Sequence, residues 1–325
     1  MKPVQSMRRM RGISLVELLV SVAIGLVVIG AVVVSFVGSG KAGRYQSALI
    51  QMNQDAQIGL SLLSREIQLA GYTAPRTLTG TSTMVVAYDP LPSGMPAIFG
   101  CDASQTTGTF VDPTAGVLAC NTASASTPTY SAFSVAYEAD TLNTVPIGTS
   151  PTWVASDCLG NTATLVLASP TIFMLQHRTV QNRYYIAKET SANNSGRPEL
   201  FCASDTTAAG ANNQQAVLEN VEDMQVWYGI ANTSRQIIRW VRAGRDATTP
   251  STINATAVLP ATPGDWATAT SVRICLLLRS AEMVQDSSED TLPYVDCNNV
   301  SKTSTDHYLR RAYYTTSTLR SRMQF

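Results

Sequence analysis

The chain has 325 residues, 23 of them basic and 23 acidic, so its formal charge is zero and only 14% of its residues are charged. Such a balance supplies no basic patch, and direct nucleic-acid binding is not expected. The stretch from Tyr72 to Phe325 is long enough for one sizeable core or two small ones.

Four basic residues, Lys2, Arg8, Arg9 and Arg11, and no acid occupy the first twelve positions. They predict a cytoplasmic amino terminus for the segment that follows. From Ile13 to Val37 run 25 residues in which Glu17 is the sole ionisable side chain. A helix of that length rises about 37 Å, enough to cross a bilayer core. A carboxylate inside such a span costs about 2.5–3.5 kcal/mol on insertion scales, so Glu17 needs a partner or a route to the interface. A secretory signal carries its cleavage site after the apolar region. Here Gly12 precedes that region, and cleavage there leaves the helix on the mature chain.

The order Gly12, then Ile13-Ser14-Leu15-Val16-Glu17-Leu18-Leu19, resembles the class III prepilin leader, with Ile13 in place of the commonest Phe. The resemblance implies that a membrane-embedded prepilin peptidase cuts between Gly12 and Ile13 and that Ile13 is N-methylated. It also implies that Glu17 neutralises the new amine of an adjacent subunit. Away from water, such a pair fixes the axial register of packed helices more than their overall stability. The plainer alternative is a signal anchor whose Glu17 snorkels to the interface. Loss of the leader leaves 19 basic residues against 23 acidic ones, a net charge of about −4.

Beyond the span, Gly38, Gly40 and Gly43 each lower helix propensity by about 1 kcal/mol relative to Ala, which predicts a bend or local melting. An apolar stripe then recurs every three or four residues at Leu49, Met52, Ala56, Leu60, Leu63, Ile67 and Ala70, with Gly71 as a stop. The expected rod runs from Ile13 to about Ala70, its second half the spine of a head. Gly25 and Gly30 could admit a neighbouring helix, although their spacing is not GxxxG.

The head reads as mostly β. Strands are predicted at Met84–Tyr88, Phe133–Tyr137, Thr164–Leu167, Ile172–Leu175, Arg183–Ala187, Leu200–Ala203, Met224–Ile230, Ile237–Val241, Val272–Leu278 and Leu309–Thr315. No crossover-length helix separates most of them, so the sheet should be antiparallel. Residues 101–163, rich in Thr, Ser, Ala and Gly, read as exposed loops and short edge strands, and the Pro-containing stretch 248–270 as a long loop. All six cysteines, Cys101, Cys120, Cys158, Cys202, Cys275 and Cys297, follow the span, in an oxidising compartment where disulfides are expected. Of the 15 possible pairings, the local pairs Cys275–Cys297 and Cys101–Cys120 are preferred.

Three blocks of the carboxyl-terminal half carry a finer resemblance: Val217 to Gly229, Val272 to Ser280, and Arg310 to Arg320. They are similar to signature blocks of the PilW family of type IV pilus minor pilins. The resemblance implies an α+β, pilin-like fold, with a leader at 1–12, a transmembrane and filament-core helix at 13–37, an amphipathic helix at 38–71 and a periplasmic head at 72–325. It implies a tip-proximal complex that primes pilus assembly, with other minor pilins, major pilin, a tip adhesin, the prepilin peptidase and the inner-membrane assembly platform as partners. Adhesion and twitching motility would depend on it. The protein would sit in the bacterial inner membrane before assembly and at the pilus tip after it.

A type II secretion pseudopilin of the J class has the same leader and related blocks, and a membrane-anchored periplasmic enzyme is a more distant alternative. No GxSxG, HExxH or phosphate-binding glycine loop is present, and His177 and His307 have no catalytic neighbours in sequence. No enzyme activity and no cofactor are expected. The cysteine spacing and the two histidines speak against a metal site. Asp286, Glu289 and Asp290 lack the alternation of a calcium loop and read as a solvated turn.

Overall fold

The structure is a computed structural model that describes residues 14–78, 85–88, 91, 96–101, 110–111, 119–120, 131–167, 176–188, 197–204, 214–243, 258–259, 268–284 and 291–322. Among the described residues, one α-helix, α1 (Leu15–Leu69), precedes seventeen strands. Its 55 residues span about 80 Å. Ser14 caps its start, accepting the Glu17 N–H on Oγ at 3.2 Å. No proline interrupts the sequence between Pro3 and Pro75. At the other end Gly71 adopts φ +75°, a left-handed turn, and its N–H is taken by Ala136 O at 2.8 Å.

The local melting expected as one outcome at Gly38, Gly40 and Gly43 does not occur, because α1 is helical throughout. A Cβ at any of the three would meet nothing within 4 Å. The glycines cost propensity, but no contact forces the chain out of helix, and propagation adds one hydrogen bond per residue fixed.

The head contains two main sheets. The strands are β1 (Pro75–Leu78), β2 (Val85–Tyr88), β3 (Ile98–Cys101), β4 (Phe110–Val111), β5 (Ala119–Cys120), β6 (Ala132–Ala139), β7 (Thr164–Leu167), β8 (Gln176–Lys188) and β9 (Pro198–Ser204). Then follow β10 (Gln214–Leu218), β11 (Val221–Ala231), β12 (Ile237–Ala243), β13 (Val258–Leu259), β14 (Ala269–Arg279), β15 (Leu292–Val295), β16 (Ser301–Ser304) and β17 (Arg310–Thr318). The first sheet has the order β10-β9-β8-β6-β3, with β7 also on β8, and the second has the order β13-β12-β11-β14-β17. Every pair is antiparallel except the short β12–β13 contact.

One core joins helix and sheets. The inward face of α1, Met52, Ala56, Leu63, Ile67 and Ala70, is buried, with Leu49 and Leu60 packed against it. Leu276 and Leu278 of β14 and Tyr184 and Ile186 of β8 belong to the same cluster. Gly100 lets the sheets approach, since a Cβ there would stand 1.9 Å from the Tyr228 hydroxyl of β11. Gly59 does the same for helix and sheet, because its Cβ would meet Leu218 Cδ2 at 2.5 Å.

Among the described residues of 101–163, one strand departs from the reading of exposed loops and short edge strands. It is β6, an interior strand, every residue buried, between β3 and β8. Its small residues, Ala132, Ser134 and Ala136, fit a close-packed position and need no bulk to be central. β8 is much longer than the predicted Arg183–Ala187 because Thr179, Gln181 and Asn182 are polar yet buried. The strand predictions do not include β1, β3, β4, β5, β10, β13, β15 or β16. The predicted strand at Ile172–Leu175, most of the 248–270 loop, and Asp286, Glu289 and Asp290 lie outside the described residues.

Candidate functional site

Two surfaces carry the features that bear on function: the spine helix with its attachment to the head, and the outer face of the second sheet. On α1, every apolar side chain from Leu15 to Phe36 is exposed. This apolar run is long enough to cross a membrane. Glu17 is exposed in its first turn, three residues after the Ser14 cap, an arrangement with the spacing of a capping box. Gly12 and Ile13 lie outside the described residues.

The second half of α1 is fastened to both sheets. On the β17 side, the Tyr313 hydroxyl donates to Asn53 Oδ1 at 2.8 Å, Ser317 Oγ donates to Ser64 O at 3.1 Å, and Ser321 Oγ donates to Ala70 O at 2.7 Å. On the β6–β8 side, the Glu66 carboxylate enters the head. Asn182 Nδ2 donates to Glu66 Oε2 at 2.8 Å, the Tyr137 hydroxyl donates to Oε1 at 3.3 Å, and the Tyr184 hydroxyl bonds the same carboxylate. Burial pushes the Glu66 carboxyl above its ordinary range, opposed by these hydrogen bonds and by Arg65. The two tyrosines rise too, through burial and the adjacent carboxylate.

The outer face of the second sheet holds its own small cluster. The β15–β16 hairpin is stapled to β14 by the Cys275–Cys297 disulfide, and Leu277 is buried beneath it with Trp227, Tyr294 and Ala312 packed against the cluster. Asp296 shapes the hairpin turn: its Oδ1 accepts from Asn298 N and Val300 N, both at 2.9 Å, and its Oδ2 pairs with Lys302 Nζ at 2.8 Å. These partners hold its carboxyl below the usual range against the opposing effect of burial. Asp223 is pushed up to about 6, chiefly by burial. Arg310 ties β17 to β11 and to the preceding loop, with Nη2 2.8 Å from Glu222 Oε1 and 2.6 Å from Asp306 Oδ2. The hydrogen bonds from Arg310 hold the Asp306 carboxyl well below its usual range.

Beside the hairpin opens a groove of about 510 Å³, lined by Trp227, Arg273, Cys297, Asn298, Asn299 and Tyr314. Arg242 stacks over Trp227 at 5.4 Å and donates to Asn298 Oδ1 at 3.3 Å. Arg273 lies over Trp240 at 4.5 Å and has no acidic partner among the described residues.

A second disulfide, Cys158–Cys202, ties the segment before β7 to β9, and Cys101 is also disulfide-bonded. The expected Cys101–Cys120 pairing falls on a Cys120 side chain outside the described residues. His177 is buried on β8 of the first sheet, whereas His307 sits at φ +62° in the turn before β17 of the second. No cluster of three or more metal-ligating side chains occurs among the described residues. Sequence reasoning missed the Glu66 attachment, Arg310 and the groove. An acid at the edge of an apolar stripe was the available sign of the first.

The family described as Type IV Pilus-assembly protein W matches residues 183–321, which cover β9 to β17 and the end of β8. The prokaryotic N-terminal methylation motif matches residues 7–33, which reach into the exposed apolar start of α1. Together the two matches support a PilW-family type IV minor pilin. They support a structural role among other pilus components and a place at the membrane. The match includes the Arg310 ties, both disulfide cysteines of the hairpin and the whole groove, while β3 and β6 precede it. No curated protein and no solved structure matches the chain.

Proposed function

We propose that this PilW-family pilin is cut between Gly12 and Ile13 by a prepilin peptidase, is methylated on Ile13, and helps form the tip-proximal complex that primes a type IV pilus. The observation carrying the reading is the division of one unbroken helix into an exposed apolar half and a half buried in the head. The first half is suited to bilayer and then to neighbouring helices, and the second turns the head into a rigid extension of it. Residues 1–12 are the leader, 13–37 the membrane and filament-core segment, 38–71 the spine and 72–325 a periplasmic head. Glu17 neutralises the amine of an adjacent subunit and fixes its axial register. Joined to other minor pilins, the head offers a first turn to which the assembly platform adds major pilin. Display of a tip adhesin, adhesion and twitching follow from that position.

Intact mass and amino-terminal sequencing of protein from native membranes, with and without the prepilin peptidase, test the reading. The expected mature chain starts at methylated Ile13 only when the peptidase is present. A chain that still starts at Met1 in its presence refutes the proposal and returns Glu17 and the span to a plain anchor.

A further inference from the structure

Resting on the pilus reading above, the geometry points to the groove at Trp227, Arg273 and Tyr314 as a socket for an acidic segment of a second protein of the same assembly. The groove lies on the sheet face that carries the hairpin, whereas Leu276 and Leu278 of β14 point into the core that holds α1. It is therefore separate from the apolar helix that anchors the chain.

Charge and shape specify the occupant. No acid lines the groove, and Arg273 stacks on an indole without an acidic partner among the described residues. A stacked guanidinium keeps its N–H edges for a carboxylate and binds it in a planar, bidentate manner. The walls are held before any partner arrives. The Cys275–Cys297 disulfide, the Asp296-capped turn and the Arg242–Asn298 bond fix the hairpin side. Asn299, at φ +60°, is set in that turn by its N–H to Asp296 O at 3.0 Å. Preorganised walls lower the ordering cost of binding.

The rim selects a protein over a saccharide. Tyr314, which lines the groove, is 50% exposed, and Val295 and Val300, which flank the lining turn Cys297–Asn299 in the chain, are exposed at 45% and 51%. Aliphatic side chains around Trp, Tyr and Arg form the composition of a protein interface with a buried anchor, and a sugar would leave the valines wet. The partner cannot add as a strand at this point, because β14 is already paired on both edges, to β11 and β17. It must enter by side chains, a carboxylate toward Arg273 with an apolar neighbour on the valines.

Site-specific photo-crosslinking of the full chain in piliated cells tests this, with benzoylphenylalanine placed at Val300 and, separately, at Ile58 on the spine, which is 60% exposed. The Val300 adduct is expected to be a protein whose mapped contact segment carries Asp or Glu. Arg273→Glu should lower that adduct about tenfold, as expected for a lost charged hydrogen bond, and leave the Ile58 adducts unchanged. Replacing the mapped carboxylate by Lys should restore it. Because Arg273 is exposed, the variant is expected to fold, and Arg273→Gln, with intact disulfides and unchanged melting, serves as the folding control. A Val300 adduct undiminished by Arg273→Glu, a carbohydrate-positive adduct, or Ile58 adducts without any at Val300 would each overturn the socket while leaving the pilus reading intact. Loss of adducts at both positions removes the pilus reading with it.

Discussion

The Glu66 attachment makes a pH-dependent prediction that separates a strained carboxylate from a neutral one. Folding raises the Glu66 carboxyl above its ordinary value of 4.5 because burial outweighs its three hydrogen bonds. Its contribution to stability is therefore fully present below that value and is lost as pH rises through the raised folded value. Between those limits the folded state loses about 1.4 kcal/mol per pH unit. Glu66→Gln keeps an acceptor for Asn182, 2.8 Å away, and for the tyrosine hydroxyls, but has no charge to desolvate. The variant should match the native chain near pH 4 and exceed it near pH 7.5. Glu66→Ala should instead be worse at every pH. It removes the acceptor of the Tyr137 and Tyr184 hydroxyls, while Asn182 Nδ2 keeps the Tyr137 oxygen at 3.3 Å. At about 1–3 kcal/mol per stranded buried donor, the loss is about 3 kcal/mol, more than a hundredfold in the folding equilibrium. Urea unfolding of the full chain in detergent micelles, followed by tryptophan fluorescence across that pH range, reads all three proteins. Parallel pH profiles for the native chain and Glu66→Gln would refute the claim that burial dominates this carboxylate.

Gly43→Ala, with open space around its Cβ, should stabilise α1 by the propensity gain of about 1 kcal/mol, read as a higher melting temperature. Gly59→Ala gains the same propensity but drives a Cβ to 2.5 Å from Leu218, so circular dichroism melting should show a net loss of up to about 2 kcal/mol. Replacing Cys275 and Cys297 together by Ser opens a link of 22 residues and should cost about 3 kcal/mol in urea titrations, with faster proteolysis of the β15–β16 hairpin. Asp223, raised to about 6, favours folding in its protonated form, so its contribution falls as pH rises from about 4 to about 6. Asp223→Asn should remove that part of the slope in an unfolding series over the same range.

What the sequence disclosed follows from how directly each feature is written in local pattern. The leader and the α1 stripe are periodic or positional, and the stripe's Met52, Ala56, Leu63, Ile67 and Ala70 all reach the core. β14 reads clearly because Val272 to Leu278 is an apolar run in a twice-paired strand. β6 was half legible: its Phe133 and Tyr137 mark a strand, but its Ala and Ser positions look like loop until both neighbours are in place. β3 was illegible because Gly100 breaks the pattern for a reason 128 residues away, the ring of Tyr228. The groove was hidden for the same cause. Trp227, Arg273, Asn299 and Tyr314 come from three strands and a turn, and only the register Trp227↔Arg273 and Cys275↔Tyr314 brings them together.

The fastening of α1 to β17 also sets a timetable for biosynthesis. Ser64 meets Ser317 across 253 residues, and Tyr313 reaches back to Asn53 across 260. While the chain is being made, the spine's inner stripe emerges early and its main cover emerges almost last. Loop closure over such distances is slow, and the uncovered stripe is free to bind other apolar surfaces meanwhile. The nascent chain therefore needs the membrane, or an escort on its far side, to occupy that stripe until the last strand arrives. A ribosome stalled before Arg310 would hold a helix with no head to carry.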